Sequence, residues 1–148
     1  MEHKEDAIPN TAPGERKLAI IVRDDLASWQ KLNVASFLAG AVAIQFPDTH
    51  GGPLVTASGT AYLPLFNQPV LVYRADDREQ IKRALTRAKE RELHIGIYSY
   101  PLFATMTEED NLRAIADKSD ADQDLVGIVV FGEYKKVNKA LDGLKLHP

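Results

Sequence analysis

The alternation and clustering of apolar positions divide the chain into a run of strands and helices. Residues 17–23 hold Leu18, Ile20, Ile21 and Val22, the composition of a central strand covered on both faces. An acidic turn, Asp24-Asp25, leads into a helix reaching Gln45, which Asp25 or Ser28 is placed to cap and Pro47 to end. Trp29, Leu32, Ala35, Ser36, Ala39, Val42, Ala43 and Phe46 recur at helical spacing, and the small members among them predict a close approach to a sheet. After the turn His50-Gly51-Gly52-Pro53, residues 54–58 and 61–65 predict a short hairpin about Gly59.

Residues 69–74 predict the next strand, and beyond Asp76-Asp77 a helix over 78–91 buries Ile81, Ala84, Leu85 and Ala88. A third core strand is predicted over 94–99, so that 69–99 reads as a βαβ unit with a right-handed crossover. Thr107 opens a capping-box-like Thr-Glu-Glu-Asp before a short helix over 111–118. The last buried strand spans 125–131, and Gly132 turns it into a helix over 133–144 that carries Tyr134, Val137, Leu141 and Leu144. Residues 1–16, polar and broken by Pro9, Pro13 and Gly14, read as a flexible leader to a single α/β domain over 17–148.

Composition narrows the functional classes. A formal charge of −3 and a pI near 5.8 argue against a protein built to neutralise phosphate, so nucleic acid is not an expected partner. The absence of cysteine removes disulfides, thiolate catalysis and thiolate metal sites together. The N-terminus lacks the apolar core of a secretory signal, so a cytoplasmic location is the default expectation. The longest apolar run, 32–44, is interrupted by Asn33 and Ser36 and falls short of the ~20 residues that span a bilayer, so no membrane partner is expected.

Candidate chemistry gathers where the first strand meets its helix. Asp24 and Asp25 can hold a metal or act as a base there, or simply cap the helix and complement its dipole. Lys31 can bind an anion or donate a proton, or be simply a solvated lysine or an ion pair with Asp24 or Asp25. Ser28, Tyr98, Ser99 and Tyr100 suit hydrogen bonds to a small ligand, the three on the third strand falling at the end of the sheet where pockets form, although core-edge packing suits the tyrosines equally. No Gly-x-Ser-x-Gly, phosphate loop or Gly-x-Gly-x-x-Gly occurs, and His3, His50, His94 and His147 lack zinc spacing; no cofactor or metal is expected.

Three segments carry a resemblance to a known family. They are Lys-Leu-Ala-Ile-Ile-Val-Arg-Asp-Asp-Leu at 17–26 with its small-residue helix, Pro-Val-Leu-Val-Tyr-Arg at 69–74 with its charged helix, and Asp-Leu-Val-Gly-Ile-Val-Val-Phe-Gly at 124–132 with the last helix. Over about 17–146 the chain resembles the uncharacterised domain-of-unknown-function family 2000, whose members are similar in fold to type II peptidyl-tRNA hydrolases. The resemblance implies a three-layer α/β/α domain with a four-stranded mixed sheet, its last strand antiparallel to the other three. It also implies a homodimer, for which Trp29, Phe46, Phe66 and Leu102 offer large apolar groups near element ends.

The hydrolases' catalytic pattern carries over in part. Arg23-Asp24-Asp25-Leu26 matches their Arg-Thr-Asp-Leu turn, and of the Gly-Lys-Gly-Lys segment beyond it Lys31 alone is kept. Their Asp after the third strand stands here as Ser99, within Tyr98-Ser99-Tyr100, while Thr105 and Thr107 fall near their threonine positions. From Glu108 to Asp124, seven acidic residues oppose Arg113 and Lys118, a local balance of −5 that repels a tRNA backbone. The expected function is therefore a non-catalytic ligand-binding or regulatory domain for a small molecule or a protein. The alternative is a hydrolase of altered specificity using Lys31 and Asp25 with Ser99 or Thr105.

Overall fold

The computed structural model describes residues 15–148; most of the predicted leader, 1–14, lies outside the described residues. Seven strands and four α-helices follow in the order β1 (Arg16–Arg23), α1 (Ser28–Gln45), β2 (Leu54–Val55), β3 (Ala61–Tyr62), β4 (Val70–Ala75), α2 (Arg78–Glu90), β5 (His94–Ser99), α3 (Glu108–Ala116), β6 (Leu125–Glu133), α4 (Tyr134–Ala140) and β7 (Lys145–Leu146). The main sheet has the order β5-β6-β1-β4-β7. β1 and β4 are parallel, while β6 runs antiparallel between β1 and β5.

Five strands replace the expected four because Lys145–Leu146 adds antiparallel to β4, pairing Tyr73 with Leu146 and Arg74 with Lys145. Two residues are too few for any hydrophobic period, so this strand had no sequence signal. At the other end of the chain the first strand begins one residue early. Arg16, assigned to the leader, is buried, its guanidinium lying 5.1 Å from the Phe131 ring and 2.8 Å from Asp48. The last strand also runs on through Gly132 to Glu133, opposite Lys17 and Arg16, so Gly132 is a strand residue and the helix after it is shorter than predicted.

Alternate residues of the central strands enter two separate cores. Ala19 and Ile21 of β1 with Ile128 and Val130 of β6 meet Ile81, Ala84 and Ala88 of α2 and Val137 of α4. On the opposite face Leu18, Ile20, Val22, Val129 and Phe131 meet Val34, Leu38 and Val42 of α1. The layers are thus α1, sheet, and α2 with α4.

α1 docks by a face turned from the predicted one: Val42 and Phe46 are buried as expected and Ala35 and Ala39 pack against the same core, but the stripe is completed by Val34 and Leu38. Val34, Leu38 and Val42 are buried, whereas Trp29, Leu32 and Ser36 are exposed. Apolar residues surround this helix, so its period does not choose a side. Shape does: a Cβ on Gly127 of β6 would stand 2.5 Å from Val34 Cγ1, so the glycine opens the hollow that Val34 fills. The hairpin is shorter than predicted, two residues a side with Leu54 opposite Tyr62, and it forms a separate two-stranded sheet. Of the groups proposed for an interface, Phe46 is buried against Phe131 and His94, and Phe66 and Leu102 pack on the α1 core; Trp29 remains exposed. Among the described residues no helix is long and apolar enough to cross a membrane.

Candidate functional site

The chain leaves the carboxyl ends of the adjacent parallel strands β1 and β4 toward opposite faces, β1 into α1 and β4 into α2. Such a switch point leaves a crevice between the two strand ends, the usual ligand position in open α/β sheets. The Asp24 N–H donates to the Ala75 carbonyl at 2.8 Å and holds the two exits together.

Into this crevice four segments send polar side chains. Lys31, in the first turn of α1, donates to Asp24 Oδ1 at 2.9 Å, and Arg74 at the end of β4 reaches Asp24 Oδ2 at 3.4 Å. His147, just after β7, places Nε2 3.1 Å from Lys31 Nζ and 3.6 Å from Asp24 Oδ1. Its backbone N–H is fixed to the Val72 carbonyl at 2.8 Å. The Lys31 hydrogen bond holds the Asp24 carboxyl below the usual carboxylate range, aided by the charges of Lys31, Arg74 and His147 against partial desolvation. An anionic Asp24 with a depressed pKa is a weak base, and its surroundings are those of an anion site.

Asp25, its neighbour, faces elsewhere. Arg23 grips it through two hydrogen bonds, 3.1 Å from Nε and 2.8 Å from Nη2, and this pairing lowers the Asp25 pKa and raises that of Arg23. Arg23 and Arg78 both approach Asp124, at 3.5 and 3.3 Å. With its carboxylate so engaged, Asp25 does not cap α1, and neither does Ser28, which is the first helical residue. The N-cap is Ala27, whose N–H donates to Gln30 Oε1 at 3.0 Å; it has no side-chain cap, and the first turn carries no acidic residue. The positive amino-terminal end of this long helix is therefore not offset by an acidic side chain of its own first turn, and Lys31 adds to it.

Tyr98, Ser99 and Tyr100 lie at the end of β5, with β6 between them and β1. Tyr98 is buried against Phe37 and Phe103, and desolvation raises its pKa. Tyr100 is half exposed, edge-on to Phe103, and Phe103 in turn meets Trp29 of α1 at 5.6 Å. Ser99 is 1% exposed beside a β-bulge, and its hydroxyl has no hydrogen-bond partner. Thr105 bonds to the Leu102 carbonyl and to Asn111, away from these groups. The predicted residues thus form two separate parts, a polar focus at Asp24 and Lys31 and an aromatic cluster in which Tyr98, Tyr100 and Trp29 surround Phe103. Among the described residues no group of three or more His, Asp or Glu side chains is placed to hold a metal ion.

Sequence reasoning missed Arg74 and His147. Arg74 was legible as the last polar residue of a strand parallel to β1. His147 was not, since its position depends on β7.

The profile of DUF2000, described as a protein of unknown function, matches residues 16–148. The chain belongs to the DUF2000 family. A solved structure of a protein of unknown function, Atu0240 from Agrobacterium tumefaciens strain C58, is similar at a TM-score of 0.86 and 34% identity, covering 90% of this chain and 98% of that one. No curated protein matches. Family membership covers the sheet and the crevice alike, since the match runs from Arg16 at the start of β1 past His147.

Proposed function

We propose that this DUF2000 chain is a non-catalytic ligand-binding domain, acting as a homodimer, that takes a small molecule through an anionic group at the β1–β4 crevice. The observation that carries the reading is the convergence of Lys31, Arg74 and His147 on Asp24 at the switch point, beside an α1 terminus without a side-chain cap. A ligand carboxylate or phosphate would share the Lys31 and Arg74 donors with Asp24. The scaffold likeness to type II peptidyl-tRNA hydrolases belongs to the same reading, supported by the mixed sheet with its antiparallel β6. A hydrolytic reading has less support, because Arg23 occupies the Asp25 carboxylate and Thr105 is bonded to Leu102 and Asn111.

The test is a titration of the purified protein with a panel of small carboxylates and phosphates, followed by amide NMR shifts and thermal stabilisation. A binder should move the amides of 24–31 and 74–75, and Lys31→Ala or Arg74→Ala should weaken it by about 10–100-fold, the value of a charge-assisted hydrogen bond of about 1.5–3 kcal/mol. Absence of binding across the panel, or binding indifferent to both substitutions, overturns the reading.

A further inference from the structure

From Leu32 to Tyr73, in a chain that is 26% charged, Asp48 is the one Asp, Glu, Lys or Arg, and it is paired with buried Arg16. This stretch supplies two surfaces that face solvent. The first is the outer side of α1, where Leu32, Phe37 and Ile44, with Trp29 just ahead of the stretch, are exposed opposite the buried Val34, Leu38 and Val42. The second is the hairpin arm, residues 51–66, where Leu54, Val55, Tyr62, Leu63 and Leu65 are all exposed. A two-stranded hairpin is marginal in water, and natural sheet edges are ordinarily protected by charge. Apart from Phe66 at its base, which packs on the α1 core, this arm has neither a packed side chain nor a charged residue.

Its base, by contrast, is firmly built. The Thr49 hydroxyl is buried on the Phe46 carbonyl at 2.7 Å, and Asn67 bonds back to Thr49 and Asp48. Gly51 donates to the Leu65 carbonyl at 2.7 Å, where a Cβ would stand 2.5 Å from the same oxygen. His50 bonds the Ala43 carbonyl at 2.7 Å, fixing the arm beside the end of α1. Between them lies a mostly apolar groove of about 620 Å³ lined by Ala43, Pro64, Leu65, Phe66 and Val70, with the polar His50 and Gln68 among them. A projecting apolar arm, held rigidly next to an apolar helix and a groove, is self-complementary under a two-fold axis.

We propose that the arm lies against α1 of a second copy, whose own arm returns the contact; this rests on the homodimer reading above and specifies its interface. Size favours a second copy. Half-exposed side chains of aromatic and large aliphatic type offer on the order of 100 Å² each, so the nine together supply ~900 Å², against ~800 Å² per partner in a stable interface. Charge favours it too: the surface has no Lys or Arg for nucleic acid or for an anionic membrane, and a homotypic contact needs none.

The experiment measures mass by light scattering from 1 to 100 μM for the full chain and for Leu63→Glu and Ile44→Lys, residues 85% and 84% exposed. Wild type should be a dimer. Each variant should keep the wild-type circular dichroism while its dimer dissociation constant rises at least about tenfold. Mixing the two variants should restore dimer, because the heterodimer keeps one intact arm-to-α1 contact and pairs Glu with Lys in the other. An arm packed on an arm would show no such rescue and overturns the proposal. Undiminished dimers in Leu63→Glu overturn it while leaving the homodimer standing, whereas a monomeric wild type removes both. Co-sedimentation of monomer with phosphatidylcholine vesicles would assign the arm to a membrane instead.

Discussion

Asp24 receives a lysine, an arginine and a histidine from three other segments, and its protonation state is the local variable of the site. Its folded pKa is depressed by the Lys31 hydrogen bond. The carboxylate therefore favours the folded state above the ordinary aspartate value of about 3.9, and this contribution fades as pH falls through the lower folded value. Asp24→Asn should lower the melting temperature slightly at pH 7, and the two melting curves should converge below about pH 4. Curves that stay parallel to pH 3 would show that the ion pairs do not stabilise the turn. Asp24 and Lys31 were visible in the sequence because both belong to one strand–turn–helix segment. Their separation from Asp25 was not visible, since it depends on which guanidinium reaches which carboxylate, and Arg23 and Arg74 compete for them from neighbouring strands.

At the scale of elements, β7 is a small strand with a disproportionate role. It covers part of the edge of β4 and carries His147 to the crevice, held by the His147 N–H on Val72. Truncation after Leu144 should cost about 1–3 kcal/mol in urea unfolding, the value of a few backbone hydrogen bonds. It should also shift the Lys31 and Asp24 amide resonances in an HSQC spectrum. An unchanged spectrum there would detach His147 from the site. The other elements follow local rules more closely: Asp77 caps α2 by accepting from the Gln80 N–H at 3.0 Å, and Thr107 caps α3 by accepting from Asp110 at 3.1 Å. Those caps were legible because donor and acceptor lie three residues apart. The face of α1 was only partly legible for the opposite reason, its apolar residues lying on every side: Val42 and Phe46 were read, Val34 and Leu38 were not.

The whole molecule is a sheet sandwiched between two unequal layers, with β1 and β6 contributing to both cores. Leu38→Ala on the α1 side and Ile81→Ala on the α2 side should each cost about 2–5 kcal/mol, with the variation set by how far each cavity collapses. Because the residues belong to cores on opposite faces, their effects should add within about 0.5 kcal/mol in a single denaturation transition. Two separate transitions would mean that the layers unfold independently. The order and type of the main elements followed from sequence alone, because hydrophobic period and capping are local properties. Tertiary structure decided the fifth strand, the docking face of α1 and the company of Asp24. Each depends on groups distant in sequence: Lys145–Leu146 needs the free edge of β4, Val34 needs the hollow at Gly127, and Asp24 needs His147, 123 residues away. Only closure of the sheet brings such partners within reach.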